Sequence, residues 1–510
     1  MLKCTINGKQ LEVKPGTTII QAYQQVEENI AHYCWHPGLS VAGVCRMCFV
    51  EIEGNPRLQL ACNTPITDGM VVNNTSKKVE ESVQWVLEFH LINHPLDCPI
   101  CDQAGECGLQ EYYMKHGQYD PGMGEKKVKK RKVVDLGERV VLDTERCILC
   151  SRCVRFTDEV TKTHELGIFN RGDHSEIATH ADAPLNNNYS LNTVDICPVG
   201  ALTSKDFRFR QRVWFLKDFE SVCSGCSTGC NTRVYYNENG LYRVKPVYNE
   251  SVNGYWMCDK GRDIYKFINL ESRLTQASLR EGGVKVTSAG QMAKIAAQQL
   301  GDIKKQHGAD SVALVLTGQY FSEEYDACLS DFTTTFSKSH VYHWINNQET
   351  FDSFDGILLR GDRNPNTVGL LRALEQKGLN KTWKDLVENI ENGSIKAIVV
   401  AGPENLEVYP DLGEKLELFA KVSLSVWMGS SKHPSLEKMT ISIPMKSYVE
   451  KSGTFVNHAG VSQNIKKGVT IVSSALTLNE ASALLSGKEL SIDTKVISKG
   501  EAYNMAGSIV

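Results

Sequence analysis

The sequence predicts a multi-domain chain, α+β through its first 272 residues and α/β from 273 to 510. Three observations carry that prediction. Fifteen of the 17 cysteines, together with His94, fall in four consecutive groups before residue 259, and each group needs its own small fold to converge. The opening residues alternate apolar and polar around a turn signal, as a small sheet requires. After residue 272 only Cys328 remains, and strand-sized apolar runs at Ser311–Thr317, Ala397–Ala401 and Val422–Val426 are separated by helix-length stretches.

Composition narrows the function classes. At 510 residues the chain is long enough for several cores. A net charge of -4 and a pI near 6.4 argue against nucleic acid or an anionic membrane surface as the main partner. Cysteines grouped this tightly in so long a chain read as metal ligands in a reducing compartment, not as a secreted disulfide framework. The start, Met1-Leu2-Lys3-Cys4-Thr5, shows no signal or transit pattern. Apolar runs such as Val312–Leu316 and Ile398–Ala401 are far short of a bilayer span, so membrane attachment is expected through another subunit.

Residues 1–75 read as a small sheet with one helix. Leu2, Cys4 and Ile6 alternate, Asn7-Gly8 turns the chain, and Leu11 and Val13 resume the alternation. Thr17 or Thr18 caps a helix from about Ile19 to Glu28, and Cys4 lies on the apolar face as core. Cys34-x10-Cys45-x2-Cys48-x13-Cys62 follows, three thiolates on one loop and a fourth beyond it, which suits a [2Fe–2S] cluster. Gly38 and Gly43 are expected to let that loop wrap closely. His36 competes as a ligand, but four cysteines complete the set.

Residues 76–120 open with a helix of about Lys77–Asn93, capped by Ser76, with Val79, Val83, Val86, Leu87 and Leu91 on one face. Pro95 ends it and leaves His94 at its exit. His94-x3-Cys98-x2-Cys101-x5-Cys107 then supplies one imidazole and three thiolates, enough for a [4Fe–4S] cluster; His90, one turn earlier, is the rival imidazole, and zinc the rival metal. The basic run Lys126–Lys132 reads as a solvated connecting loop, with a nuclear signal or an anion patch as its alternatives.

Residues 138–216 carry Cys147-x2-Cys150-x2-Cys153 and a distant Cys197-Pro198, one [4Fe–4S] ligand set closed from a second segment. Residues 217–272 carry Cys223-x2-Cys226-x3-Cys230 and Cys258, with Gly225 and Gly229 inside the ligand loop. A four-cysteine zinc ribbon is the alternative there.

Together these residues carry a family resemblance. Cys34–Cys48 (Cys-Trp-His-Pro-Gly-Leu-Ser-Val-Ala-Gly-Val-Cys-Arg-Met-Cys), the His94–Cys107 stretch, Arg146–Phe156 and Cys197–Thr203 resemble the large iron–sulfur subunit of NADH:quinone oxidoreductase, respiratory complex I. The resemblance implies a β-grasp [2Fe–2S] ferredoxin-like domain (1–75) and a [4Fe–4S] domain with one histidine and three cysteine ligands (76–120). A [4Fe–4S] ferredoxin-like domain (138–216) and a molybdopterin-oxidoreductase-type [4Fe–4S] domain (217–272) would follow. It implies one [2Fe–2S] and three [4Fe–4S] clusters held as iron by these ligands, and no catalytic residue converting a substrate within the chain. Electrons would arrive from a flavin-binding, NADH-oxidising subunit beside a small [2Fe–2S] subunit and leave toward quinone-module subunits. The membrane arm is touched only indirectly, at the cytoplasmic face of a bacterial inner membrane. The Cys223–Cys258 set resembles one present in many bacterial members, off the main electron route.

Cys258-Asp259-Lys260-Gly261-Arg262 and Ser442-Ile443-Pro444 with Glu450–Asn457 resemble molybdopterin oxidoreductases. About 240 residues follow position 272, fewer than a catalytic molybdenum domain uses, so 273–510 is expected to be a shortened molybdopterin-oxidoreductase-like domain without molybdenum cofactor. Cys328 is then core and Lys260 structural. Two readings compete: an electron-transfer subunit of a soluble NAD-linked formate dehydrogenase or hydrogenase, and a zinc-stabilised scaffold without redox function.

Overall fold

The structure, a computed structural model, describes residues 1–180, 183–346 and 350–490. It divides into two units, Met1–Phe215 and Leu216–Val510.

The first unit opens with a five-stranded mixed sheet in the order Lys9–Val13, Leu2–Ile6, Met70–Asn73, Phe49–Ile52, Gln59–Leu60. Leu2–Ile6 pairs antiparallel with Lys9–Val13 through Asn7 (φ 49°) and Gly8 (φ 83°), both left-handed as a tight hairpin turn demands. Its other edge pairs parallel with Met70–Asn73. The helix Ile19–Gln25 packs beneath, its start fixed by Gln21 Oε1 accepting from Thr18 N at 2.9 Å. It stops three residues before the expected Glu28, because Glu27 is left-handed (φ 57°). Cys4 is buried in this core with Ile6, Ile20 and Tyr23.

The helix Lys77–Leu91 follows, with Ser76 Oγ accepting from Val79 N. It buries Val79, Val83 and Leu87 and leaves Trp85 and Phe89 exposed. Beyond the helix Gly108–His116 lie a three-stranded sheet (Leu202–Ser204, Val140–Leu142, Val134–Asp135), the hairpin Leu166–Phe169/Glu176–Thr179 and the helix Arg152–Glu159. One core joins these elements and takes in thiols from three of the four cysteine groups.

The second unit begins with an antiparallel sheet, Lys217–Val222, Asn231–Asn237 and Gly240–Pro246. A seven-stranded sheet follows, in the order Val284–Thr287, Ala277–Arg280, Ile441–Pro444, Leu424–Gly429, Ala397–Ala401, Val312–Thr317, Val341–Trp344. Its five strands from Ile441–Pro444 to Val341–Trp344 are parallel. Both faces are covered: Leu314, Leu316, Val399 and Val426 pack with the helices Ala289–His307 and Ser322–Thr335. Val315, Ile398, Val400 and Trp427 pack with Trp383–Glu391 and Leu412–Phe419. This is the α/β architecture that the apolar runs predict. Cys328 is buried in the core on Ser322–Thr335, and burial pushes its thiol up. Arg273 and Glu450, both without solvent access, form a 2.7 Å ion pair.

Candidate functional site

The four cysteine groups form four separate clusters of sulfur. Cys34, Cys45 and Cys48 lie on the loop leading into Phe49–Ile52, and Cys62 follows Gln59–Leu60; all four are buried. Cys34 hydrogen-bonds Cys45, Cys48 hydrogen-bonds Cys62, and charge on Cys34 is felt at Cys62. The bond from Cys45 draws the Cys34 thiol down to about 5. Tyr33 N–H points at Cys45 Sγ at 3.4 Å. The loop turns through Gly43 (φ 65°) and Arg46 (φ 58°), whereas Gly38, expected to be the second pivot, is not in the left-handed region. His36 accepts from Gly38 N at 3.1 Å through Nδ1, and burial, then Arg152 and Arg155, hold its imidazole down to about 4.

His94, Cys98, Cys101 and Cys107 line one cavity of about 670 Å³. The helix Lys77–Leu91 delivers His94, and burial followed by the charges of Arg146 and Lys127 holds its imidazole down to about 4, neutral and free to donate a lone pair. His90 is turned elsewhere: its Nε2 lies 3.1 Å from the Cys45 carbonyl and its ring stands edge-on to Tyr33. Cys98 is exposed, unlike Cys101. The basic run is no mere solvated loop. Lys127 Nζ donates to the Leu91 and Ile92 carbonyls at 2.9 and 3.0 Å, capping the helix that carries His94. Lys132 and Arg146 share Asp97 at 2.5 and 3.0 Å, and Lys132 also reaches Glu145 at 2.8 Å.

Cys147, Cys150, Cys153 and Cys197 line a small cavity walled by Leu142, Ile177 and Val199. The loop entering Arg152–Glu159 winds through two left-handed residues, Leu149 (φ 56°) and Ser151 (φ 61°), conformations that side chains adopt only when the surroundings impose them. Leu149 N–H faces Cys147 Sγ at 3.4 Å. Burial pushes the thiols up, Cys147 to about 12 and Cys150 to about 11.

Cys223, Cys226 and Cys230 occupy the turn between Lys217–Val222 and Asn231–Asn237, and Cys258 caps the helix Asp259–Arg262. Gly225 N–H faces Cys223 Sγ and Gly261 N–H faces Cys258 Sγ, each at 3.3 Å. All four thiols are buried, Cys258 pushed up to about 12. Lys260 is exposed.

These donor sets fit iron–sulfur clusters. All 17 cysteines are free thiols, so no disulfide competes for the sulfurs. Backbone N–H groups are aimed at sulfur in all three of the sets made of four cysteines, as thiolates bound to iron require. In the sets of Cys147 and Cys223, where burial pushes the thiols up, they ionise only against added positive charge. The spacings reveal none of the arginines that face these sulfurs: Arg146 faces Cys101, Arg152 and Arg155 face Cys150, and Arg363 faces Cys223 and Cys258.

Four family models match in chain order. They are a 2Fe-2S iron-sulfur cluster binding domain (1–77), the NADH-ubiquinone oxidoreductase-G iron-sulfur binding region (84–121), the NADH-quinone oxidoreductase subunit 3 ferredoxin-like domain (137–203) and the molybdopterin oxidoreductase Fe4S4 domain (216–270). The G subunit of NADH-quinone oxidoreductase from Streptomyces coelicolor is 41% identical over 304 residues, 59% of this chain and 36% of the relative. Its Rickettsia bellii counterpart is 38% identical over 309 residues, 60% of this chain and 45% of the relative. The match thus spans less than half the length of these relatives. A NAD+-reducing [NiFe]-hydrogenase chain aligns at 30% identity over 42% of this chain and 91% of its own, with a TM-score of 0.38. No helix among the described residues is long and apolar enough to cross a membrane. Through its first 270 residues the chain is similar to the NADH-quinone oxidoreductase G subunit, with [2Fe–2S] and [4Fe–4S] binding domains matched in that order.

Proposed function

We propose that the chain is an electron-transfer subunit of the peripheral arm of an NADH:quinone oxidoreductase. One observation carries the proposal: four separate sulfur sets, each with its own N–H donors or arginines, occur in one chain and in the order of that family. Cys34, Cys45, Cys48 and Cys62 hold a [2Fe–2S] cluster. His94, Cys98, Cys101 and Cys107 hold a first [4Fe–4S] cluster, Cys147, Cys150, Cys153 and Cys197 a second, and Cys223, Cys226, Cys230 and Cys258 a third. The ligand domains are 1–75, 76–120, 138–216 and 217–272, and 273–510 is a domain without molybdenum cofactor.

When bound, each cluster supplies one-electron redox chemistry. The chain's own residues bury the thiolates, fix their separations and donate N–H groups to sulfur; His94 replaces one thiolate and removes one negative charge from its set. No side chain in this scheme acts as acid, base or nucleophile.

The partners are a flavin-binding subunit that oxidises NADH, a small [2Fe–2S] subunit and quinone-module subunits. The membrane arm is reached through them, at the cytoplasmic face of a bacterial inner membrane. Anaerobic native purification of the tagged chain, with mass spectrometry of what travels with it, tests this. Co-purification with flavin, quinone-module and membrane subunits is the expected result. Recovery with a formate dehydrogenase or hydrogenase catalytic subunit, and no membrane arm, overturns the choice of partners.

A further inference from the structure

We propose that Arg152 and Arg155 form one cationic bridge between two sulfur sets and jointly raise the reduction potentials of the clusters held by Cys34/Cys45/Cys48/Cys62 and by Cys147/Cys150/Cys153/Cys197. The inference rests on the iron–sulfur reading above and adds a role to residues outside the ligand sets.

Both arginines lie on the first turn of the helix Arg152–Glu159, three residues apart and so on neighbouring faces. Arg152 donates from Nη1 to the Ile196 carbonyl at 3.0 Å, beside Cys197, and from Nη2 to the Trp35 carbonyl at 2.5 Å, beside Cys34. Arg155 spans the same gap. Its Nη2 donates to the Cys34 carbonyl and reaches the Cys150 carbonyl at 3.5 Å, while Nη1 donates to the Ser40 carbonyl. Each guanidinium therefore touches the backbone of both ligand loops.

Arg152 Nε–H is buried without a hydrogen-bond partner, and the carboxylate one turn along the helix from Arg155, Glu159, is engaged by Ser40 N and Oγ. The groups acting most favourably on Arg152 are sulfurs of both sets: Cys150, Cys197, Cys45 and Cys34. A guanidinium does not give up its proton under these conditions, so it remains a fixed positive charge. A buried cation without counter-ion is costly, and the negative charge of ligated thiolates offsets that cost. Each added electron makes a set more negative, and a fixed cation beside it stabilises the reduced form. A cation lying between two sets acts on both.

The test is an electron-paramagnetic-resonance redox titration of the cluster-loaded full chain with Arg152→Met, Arg155→Met and Arg152→Lys. Each neutral variant is expected to lower both midpoints by at least tenfold in the reduction equilibrium, about 59 mV for a one-electron couple. The Cys223/Cys226/Cys230/Cys258 midpoint holds still, and Arg152→Lys recovers most of the shift. Unmoved midpoints, or movement of only one of the two, overturn the bridge. If Arg152→Met does not retain its clusters, the less buried Arg155→Met decides by the same criterion. Iron and acid-labile sulfide in the wild-type chain separate the two layers: missing sulfide sinks the cluster reading, whereas full sulfide with unmoved midpoints sinks only the arginine bridge.

Discussion

Gly200 offers a way to remove one cluster while leaving the fold standing. It lies in the segment that closes the third sulfur set, yet a β-carbon built on it collides with Cys101 Sγ of the second set and comes within 3.0 Å of Gln103 Cβ. An ordinary contact needs about 3.5–4.0 Å, so Gly200→Ala requires the sulfur to retreat by more than about 1 Å. The cheapest retreat is rotation of the Cys101 side chain, since a forced repacking of this kind costs about 1–3 kcal/mol and leaves the backbone in place. A folded thiol can accept that rotation; a ligand fixed at one corner of a cluster cannot. The expected outcome is a chain that unfolds within about 3 kcal/mol of wild type but has lost about four irons and their sulfide. Iron and sulfide assays with low-temperature spectra read this directly. Gly124, on the rim of the same cavity with nothing within 4 Å of its built β-carbon, is the control, and Gly124→Ala should change neither quantity. A Gly200→Ala chain with full iron and an unaltered spectrum would refute the placing of Cys101 as a ligand against Gly200.

Other expectations follow from named contacts. His94→Ala should lower the iron retained by the second set, whereas His90→Ala, which loses the contacts with the Cys45 carbonyl and the Tyr33 ring, should leave that set full; equal iron loss in the two variants contradicts the assignment. Arg273→Met strands the fully buried Glu450 carboxylate and should cost about 3–5 kcal/mol in urea unfolding of the second unit; a cost below about 1 kcal/mol contradicts the pairing. Glu404, buried in the second unit, is held up to about 7 from 4.5, chiefly by burial and despite Lys451 and Arg273. A carboxyl raised on folding holds its proton in the native state, so this stability is complete below about pH 4.5 and is lost as pH climbs through 7. Glu404→Gln should therefore be more stable than wild type at pH 8, by up to about 3 kcal/mol, and little different at pH 4.5. An equal gain at both pH values would show that the carboxyl does not titrate in the native chain.

The grouping of the cysteines was readable because convergence of sulfurs is written in local spacing: a loop that brings three thiols to one place must carry them a few residues apart. Ser76 and Asn7-Gly8 were readable for a similar reason, since a cap and a hairpin turn depend on neighbours along the chain. What lay across the fold was not. Lys127 and Lys132 look like solvated charge in sequence, yet they cap a helix and clasp Asp97 from more than thirty residues away. Arg152 and Arg155 gain their role only when residues 34–40 fold against the helix that carries them. The strand Leu424–Gly429 begins two residues later than expected. It is buried on both faces, so no apolar–polar alternation marks its ends, and pairing with Ala397–Ala401 sets its register. The sequence prefers His94 to His90 because it falls at the helix exit beside Cys98, and of the two His94 lines the cavity while His90 turns to the Cys45 carbonyl.

The most direct measurement is the iron, acid-labile sulfide and zinc content of the anaerobically purified full chain. A redox chain predicts iron and sulfide in comparable amounts, about fourteen irons per chain, with zinc near zero. Stoichiometric zinc with no sulfide would contradict it and leave the four sulfur sets as structural zinc sites.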